Sequence, residues 1–269
     1  MKNFAVIPAR YGSTRFPGKP LVDIAGKPMI RWVWEAAVSA KKIDRVVIAT
    51  DDERIIATVK SFGAEAILTP AELACGTDRV ASVIRGIYPS DRPDIVVNIQ
   101  GDEPLLTGEI LDKLVEGFIK SDAPMGTVVA PATESELADP NTVKAICDGD
   151  NNALDFTRER RAERGVRSAK CEVPPPTTRE AEGKTNNEQR PATTNFKHIG
   201  IYIFKTHALL DFAQLKPTPR EKAEKLEQLR ALENGWKIYC ADIPEAAGLI
   251  GVDTEEDLEK VKGKRQKAK

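Results

Sequence analysis

The chain has 269 residues, 41% hydrophobic and 30% charged, with a net charge of −1; this is long enough for a sizeable core and excludes a polycation built for nucleic acid or an anionic membrane surface. No run approaches the ~20 apolar residues of a membrane span, and the start MKNFAVIPAR is too briefly apolar for a secretory leader, so a cytoplasmic protein without membrane insertion is expected. Cys75, Cys147, Cys171 and Cys240 are widely spaced and His198 and His207 are the sole histidines, which argues against a zinc cluster or a disulfide framework.

Short β-rich apolar runs alternate with segments of helical period, the pattern of βα units in a mostly parallel sheet flanked by helices. The expected class is α/β and Rossmann-like, one domain over 1–269 with a smaller lobe. Residues 4–7 read as the first strand, followed by PARYGSTRFPGKPL at 8–21, which crowds Arg10, Arg15 and Lys19 into a loop bent by Gly12, Pro17, Gly18 and Pro20. A helix opens at 27–30 with Ile30, Val33, Trp34 and Ala37 on one face. A strand at 45–49 ends at Thr50, Asp51 and Asp52, an acidic end suited to capping the helix 53–62. After a strand at 64–68, Gly76, Thr77 and Asp78 stand at a helix start where an anion could bind.

The strand 94–99, DIVVNI, is apolar enough for burial on both faces and runs into Gln100, Gly101, Asp102 and Glu103, at the sheet edge where open α/β folds bind ligands. A helix at 108–120 and strands at 126–130, 142–147 and 153–156 follow. Residues 159–197, including PPPTTREAEGKTNNEQRP, lack apolar periodicity and read as a polar loop or partly disordered insertion. A strand at 199–204, a helix at 220–233 ended by Asn234 and Gly235, a strand at 237–241 and a last helix after Asp253 and Thr254 complete the chain. The tail GKRQKAK is a solvated charge run.

The opening loop fits neither common phosphate motif. The strand is followed by R-Y-G-S-T-R rather than G-x-G-x-x-G, and Pro20 stands where a Walker loop needs a hydroxyl after its lysine. Three cations and the hydroxyls of Ser13 and Thr14 remain, a set able to neutralise a triphosphate. Asp102 and Asp253 could converge on Mg²⁺, a hard cation that prefers oxygen, although Asp253 reads equally as a helix cap.

PARYGSTRFPGKPL together with TDD, GTDR, NIQGDEPL, HIGIY, KLEQLRALENG and GVDTEEDL, in this order, resembles the 3-deoxy-manno-octulosonate (Kdo) cytidylyltransferases, within the nucleotide-diphospho-sugar transferase type of nucleotidyltransferase. The resemblance covers 1–158 and 196–262, and HIGIY with KLEQLR narrows it to the Kdo branch. It implies transfer of CMP from CTP to Kdo with release of pyrophosphate, for lipopolysaccharide synthesis, by a Mg²⁺-dependent homodimer. It gives the triphosphate to Arg10, Ser13, Arg15 and Lys19, and the cytidine to Cys75, Gly76 and Thr77. Asp102 and Asp253 fall to the metal, with Gln100 beside it touching nucleotide or sugar; Lys19, Asp102 and Asp253 are thus the catalytic set. Arg79, Arg158, His198, Tyr202, Glu227 and Gln228 fall to the sugar, with Arg79 as the first contact to its carboxylate.

Two departures stand out: Cys75 replaces the family's serine, and ERRAERG follows Arg158 where an apolar stretch with Ile-Pro is usual. The altered segment leaves room for an amino-substituted octulosonate or another acid sugar as acceptor. A catalytically inactive nucleotide-binding or assembly protein of the same fold would bind CTP without turnover.

Overall fold

The computed structural model describes residues 1–12, 16–73, 75–159 and 194–267. Its elements in chain order are β1 (Asn3–Ala9), the hairpin β2 (Asp23–Ile24) and β3 (Lys27–Pro28), α1 (Met29–Ser39), β4 (Arg45–Thr50), α2 (Glu53–Ser61), β5 (Glu65–Leu68), α3 (Gly76–Arg85) and β6 (Ile95–Ile99). Then come α4 (Gly108–Lys120), β7 (Met125–Ala130), α5 (Glu134–Ala138), β8 (Lys144–Cys147), β9 (Ala153–Thr157), β10 (Thr194–Lys205), α6 (Thr206–Phe212), α7 (Pro219–Glu224), α8 (Gln228–Glu233), β11 (Ile238–Asp242) and α9 (Glu255–Lys267).

The central sheet runs β11-β7-β10-β6-β1-β4-β5. Its pairings are parallel except at β10, which is antiparallel to both β6 and β7. This is the mostly parallel α/β sheet expected from the sequence. β8 and β9 extend the first residues of β10 as an antiparallel arm beside the sheet.

Strand alternation sorts the core into two layers. Ala5, Ile7 and Ala9 of β1 face the apolar sides of α1, α2 and α4, whereas Val6 and Val96 face α3, α6 and α8. A third cluster joins Ile24 and Met29 to Val252, Leu258 and Val261, and so seats α9 against the hairpin and the start of α1. Gly108 opens α4 where a Cβ would stand 2.7 Å from the Ala40 backbone nitrogen, so only glycine lets α4 pack on the end of α1. α2 begins as its sequence suggested, with the Asp52 carboxylate accepting from the Arg54 amide at 2.9 Å.

Two expectations need correction, and two short helices are added. The helix at 220–233 is two helices, α7 and α8, because Lys225 adopts the left-handed conformation, φ 56°, and ends the first. Residues 194–197 of the supposed polar loop are strand, held by pairing of β10 with β8; residues 160–193 lie outside the described part. The short α5 and α6, unmarked by any long apolar period, were not expected; α5 stands on a reciprocal capping box between Thr133 and Glu136. No helix among the described residues is long and apolar enough to cross a membrane.

Candidate active site

The loop after β1 is folded back on itself. Gly18, in the left-handed region at φ 73°, donates its amide to the Tyr11 carbonyl at 2.9 Å, and the Arg54 guanidinium covers the Tyr11 ring. Arg10 reaches across to donate to the Leu73 carbonyl, tying this loop to the one before α3. Ser13 and Arg15 lie outside the described residues.

Lys19 projects from this loop to the Asp102 carboxylate at 2.6 Å and the Asp253 carboxylate at 3.3 Å. Burial pulls its ammonium down, but the two carboxylates outweigh burial and hold its pKa above the ordinary value. Asp102 occupies the turn after β6. Asp253 comes from the far end of the chain, brought there by a Val252 amide bond to the Asp102 carbonyl at 2.9 Å. Thr254 takes the cap of α9: its hydroxyl accepts from the Asp257 amide at 3.2 Å, while the Asp257 carboxylate accepts from the Thr254 amide at 3.0 Å. The helix is therefore capped by its neighbour while Asp253 faces Lys19.

Two carboxylates converging on one positive charge form a donor set that fits Mg²⁺, which takes one or two carboxylates and leaves its other positions to water and phosphate. Among the described residues no group of three or more His, Cys, Asp and Glu gathers. Glu103 lies behind this pair, its Oε2 without a partner, its carboxyl pushed up to about 8 by burial and by the charge of Asp102.

Gly76 opens α3 against the first strand and β6. A Cβ there would stand 3.3 Å from Pro8 and 3.7 Å from Gln100 Oε1, and one on Gly200 would stand 3.5 Å from Gln100 Cγ, so Gln100 sits between two glycines. The Cys75 sulfur accepts from the Asp78 amide at 3.4 Å, and burial keeps its thiol protonated. Thr77, given to the cytidine by the resemblance, instead points inward and is fully buried, so it offers no surface to a nucleotide; its hydroxyl meets the Asn98 amide nitrogen at 2.9 Å and the Glu227 carboxylate at 2.6 Å.

Across the edge, the Tyr202 hydroxyl donates to Gln228 Oε1 at 2.9 Å. His198 lies 5.6 Å from the Tyr202 ring and edge-on to Phe156. Its Nε2 meets Thr127 Oγ1 at 2.9 Å; because Thr127 also donates to the Ile201 carbonyl, Nε2 carries the proton of the pair. Burial, with Arg158 nearby, lowers the His198 pKa to about 3, so the ring is neutral. Arg158 is braced by the Asn141 and Glu224 carbonyls, while Lys144 holds the Arg158 carbonyl at 2.8 Å.

The structure thus gathers Lys19, Asp102 and Asp253 in one group, Gly76, Thr77, Gln100 and Glu227 in a second, and Arg158, His198, Tyr202 and Gln228 in a third, all on the edge formed by the carboxyl ends of the parallel strands. Arg79 is a second correction. It is fully buried, its guanidinium bonded to Asp51 at 2.8 Å and to Thr69 and Pro70, and it offers no surface to a sugar carboxylate. Sequence reasoning passed over Asn98, although a lone amide in an otherwise apolar strand was a signal.

The chain is similar to known proteins along its length. Residues 4–238 match the family described as Cytidylyltransferase. A 3-deoxy-manno-octulosonate cytidylyltransferase of Syntrophobacter fumaroxidans is 44% identical over 263 residues, covering 97% of this chain and 96% of that protein. One from Myxococcus xanthus is 43% identical, with 97% and 95% covered. The solved structure of a CMP:2-keto-3-deoxy-manno-octonic acid synthetase complexed with CTP superposes with a TM-score of 0.83 at 34% identity over 100% of both chains. A 4-diphosphocytidyl-2C-methyl-D-erythritol synthase from Anaerococcus prevotii, at 14% identity and TM-score 0.59, shares the fold. The ordered motifs, the sheet and these full-length likenesses together place the chain in the 3-deoxy-manno-octulosonate cytidylyltransferase family.

Proposed function

We propose that the protein transfers CMP from CTP to Kdo: the anomeric hydroxyl of the sugar loses its proton to solvent and attacks the α-phosphorus, a new O–P bond forms, the α–β bond breaks and pyrophosphate leaves. The observation that carries this reading is the meeting of Lys19, Asp102 and Asp253 beside the loops that hold Gly76 and Gln100. Phosphoryl transfer needs positioned charge more than covalent help, and this edge supplies it. Arg10, Arg15 and Lys19 neutralise the triphosphate and the Ser13 hydroxyl of the same loop hydrogen-bonds it. Gly76 and the Cys75 backbone seat the cytidine. Arg158, His198 and Glu227 border the sugar, backed by the buried Tyr202 and Gln228, which bond to each other rather than face it, and His198, neutral, orients it without acting as a base.

Asp102 and Asp253 would hold Mg²⁺, which when bound lowers the pKa of the attacking hydroxyl and offsets phosphate charge. Lys19 then turns from the carboxylates toward phosphate. The same proposal takes in action as a cytoplasmic homodimer supplying an activated acid sugar for lipopolysaccharide.

Incubation with CTP, Mg²⁺ and Kdo should release pyrophosphate at a rate proportional to enzyme. Absence of release with Kdo, but release with 8-amino-3,8-dideoxy-octulosonate, would reassign the acceptor; CTP binding with no release from any acid sugar would remove the reading.

A further inference from the structure

The strand β6 reads IVVNI and is buried throughout, so Asn98 is its one polar side chain. It lies on the same face as Val96, toward α3 and α8. Burying an amide in such a layer is costly unless it is hydrogen-bonded, and here only the Nδ2 end is bonded, the Oδ1 being buried without a hydrogen-bond partner. The bond Asn98 makes is specific: Nδ2 donates to Thr77 Oγ1 at 2.9 Å, and Thr77 Oγ1 donates to Glu227 Oε1 at 2.6 Å.

The chemistry of the three groups sets the direction of both bonds. An amide nitrogen only donates, and a hydroxyl has one proton to give. With a lone pair of Thr77 occupied by Asn98, that proton goes to the carboxylate, at the short distance of a charge-assisted bond. Were the amide reversed, its oxygen and the carboxylate would both face one hydroxyl proton. Asn98 and Thr77 are fully buried, whereas Glu227 is half-buried and is the member of the three that a ligand can touch.

We propose that Asn98 is a positioning residue, acting through Thr77 to hold the Glu227 carboxylate as the acceptor for a hydroxyl of the acid sugar. This rests on the sugar site proposed above. It also links the halves of the site mechanically, since Thr77 follows the glycine that packs on Gln100 and Glu227 immediately precedes α8. Burial raises the Glu227 pKa while the Thr77 bond opposes that rise, so loss of the relay also weakens the carboxylate as an ionised acceptor.

The test is Asn98→Asp, which keeps the shape and replaces the donor with an acceptor competing for the Thr77 proton, beside Thr77→Val, which removes the hydroxyl. Each should raise the KM for the sugar about tenfold, the loss of roughly one net hydrogen bond, while the KM for CTP stays within about twofold. Thr77→Ser should restore the sugar KM, and the double variant should be no worse than Thr77→Val alone. A purely structural role would instead lower thermal stability and affect both substrates together. An unchanged sugar KM in a folded Thr77→Val protein, or equal rises for both substrates, overturns the proposal. If the wild type turns over no acid sugar, the functional reading fails by itself. Crystal structures then decide the relay: Glu227 turned away from residue 77 in Asn98→Asp supports it, and Glu227 unmoved overturns it.

Discussion

Val252 gives its amide proton to the carbonyl of Asp102 at 2.9 Å. That bond fastens the segment before α9 to the turn after β6, and the next residue, Asp253, then stands within reach of the Lys19 that already holds Asp102. Packing of Val252, Leu258 and Val261 on Ile24 and Met29 keeps it there. The acidic pair is thus a product of how α9 docks.

Asp102→Asn and Asp253→Asn each remove one negative charge while keeping shape. Turnover should fall by about a thousandfold or more, and the dissociation constant for CTP should change by less than about tenfold. Near-normal turnover in either variant would show that the pair does not hold the metal.

Lys19 has two duties that a single substitution separates. In Lys19→Met, turnover should drop about a hundredfold because a phosphate-facing cation is gone. Mg²⁺ binding in the absence of nucleotide should tighten, since no ammonium competes for the carboxylates. Calorimetric titration with Mg²⁺ reads the second effect, and weaker binding would contradict it.

Arg79→Met would leave Asp51 partly buried without its cation. Breaking such a pair costs about 3–5 kcal/mol, visible as a lower urea midpoint, while the sugar KM of the folded fraction stays near wild type. Unchanged stability with a raised sugar KM would return Arg79 to the sugar.

The His198 pKa of about 3 also sets a pH dependence. The unfolded imidazole titrates near 6.5, so between about 6.5 and 3 the unfolded chain binds a proton that the folded one refuses. The stability present above pH 6.5 is lost as pH falls through that window, by about 2 kcal/mol between pH 7 and 5. In His198→Gln this part of the slope should vanish in urea melts taken across those pH values. His207, the other histidine, is common to both proteins and cancels.

The sheet was legible because its central strands are nearly all apolar and its helices carry an apolar face. DIVVNI and the acidic turn after it could be placed at a binding edge from residue order alone. The break at Lys225 left no such mark: lysine is an ordinary helix former, and its left-handed backbone is imposed by surrounding structure. Arg79 misled for a related reason, since a cation in a motif looks the same whether its partner is a ligand or Asp51. Asn98 was visible as a letter, but its role depends on Thr77 and Glu227 being neighbours, which only the fold arranges.

The antiparallel β10 has a consequence for how this chain is made. It sits between β6 and β7, yet it is synthesised roughly a hundred residues after β6, a delay of about 5–20 s at usual elongation rates. Throughout that interval β6 has β1 on one side and a bare backbone edge on the other. The nucleotide half of the molecule therefore leaves the ribosome with its middle strand open, the state in which a chain of this topology is most exposed to pairing with the wrong partner.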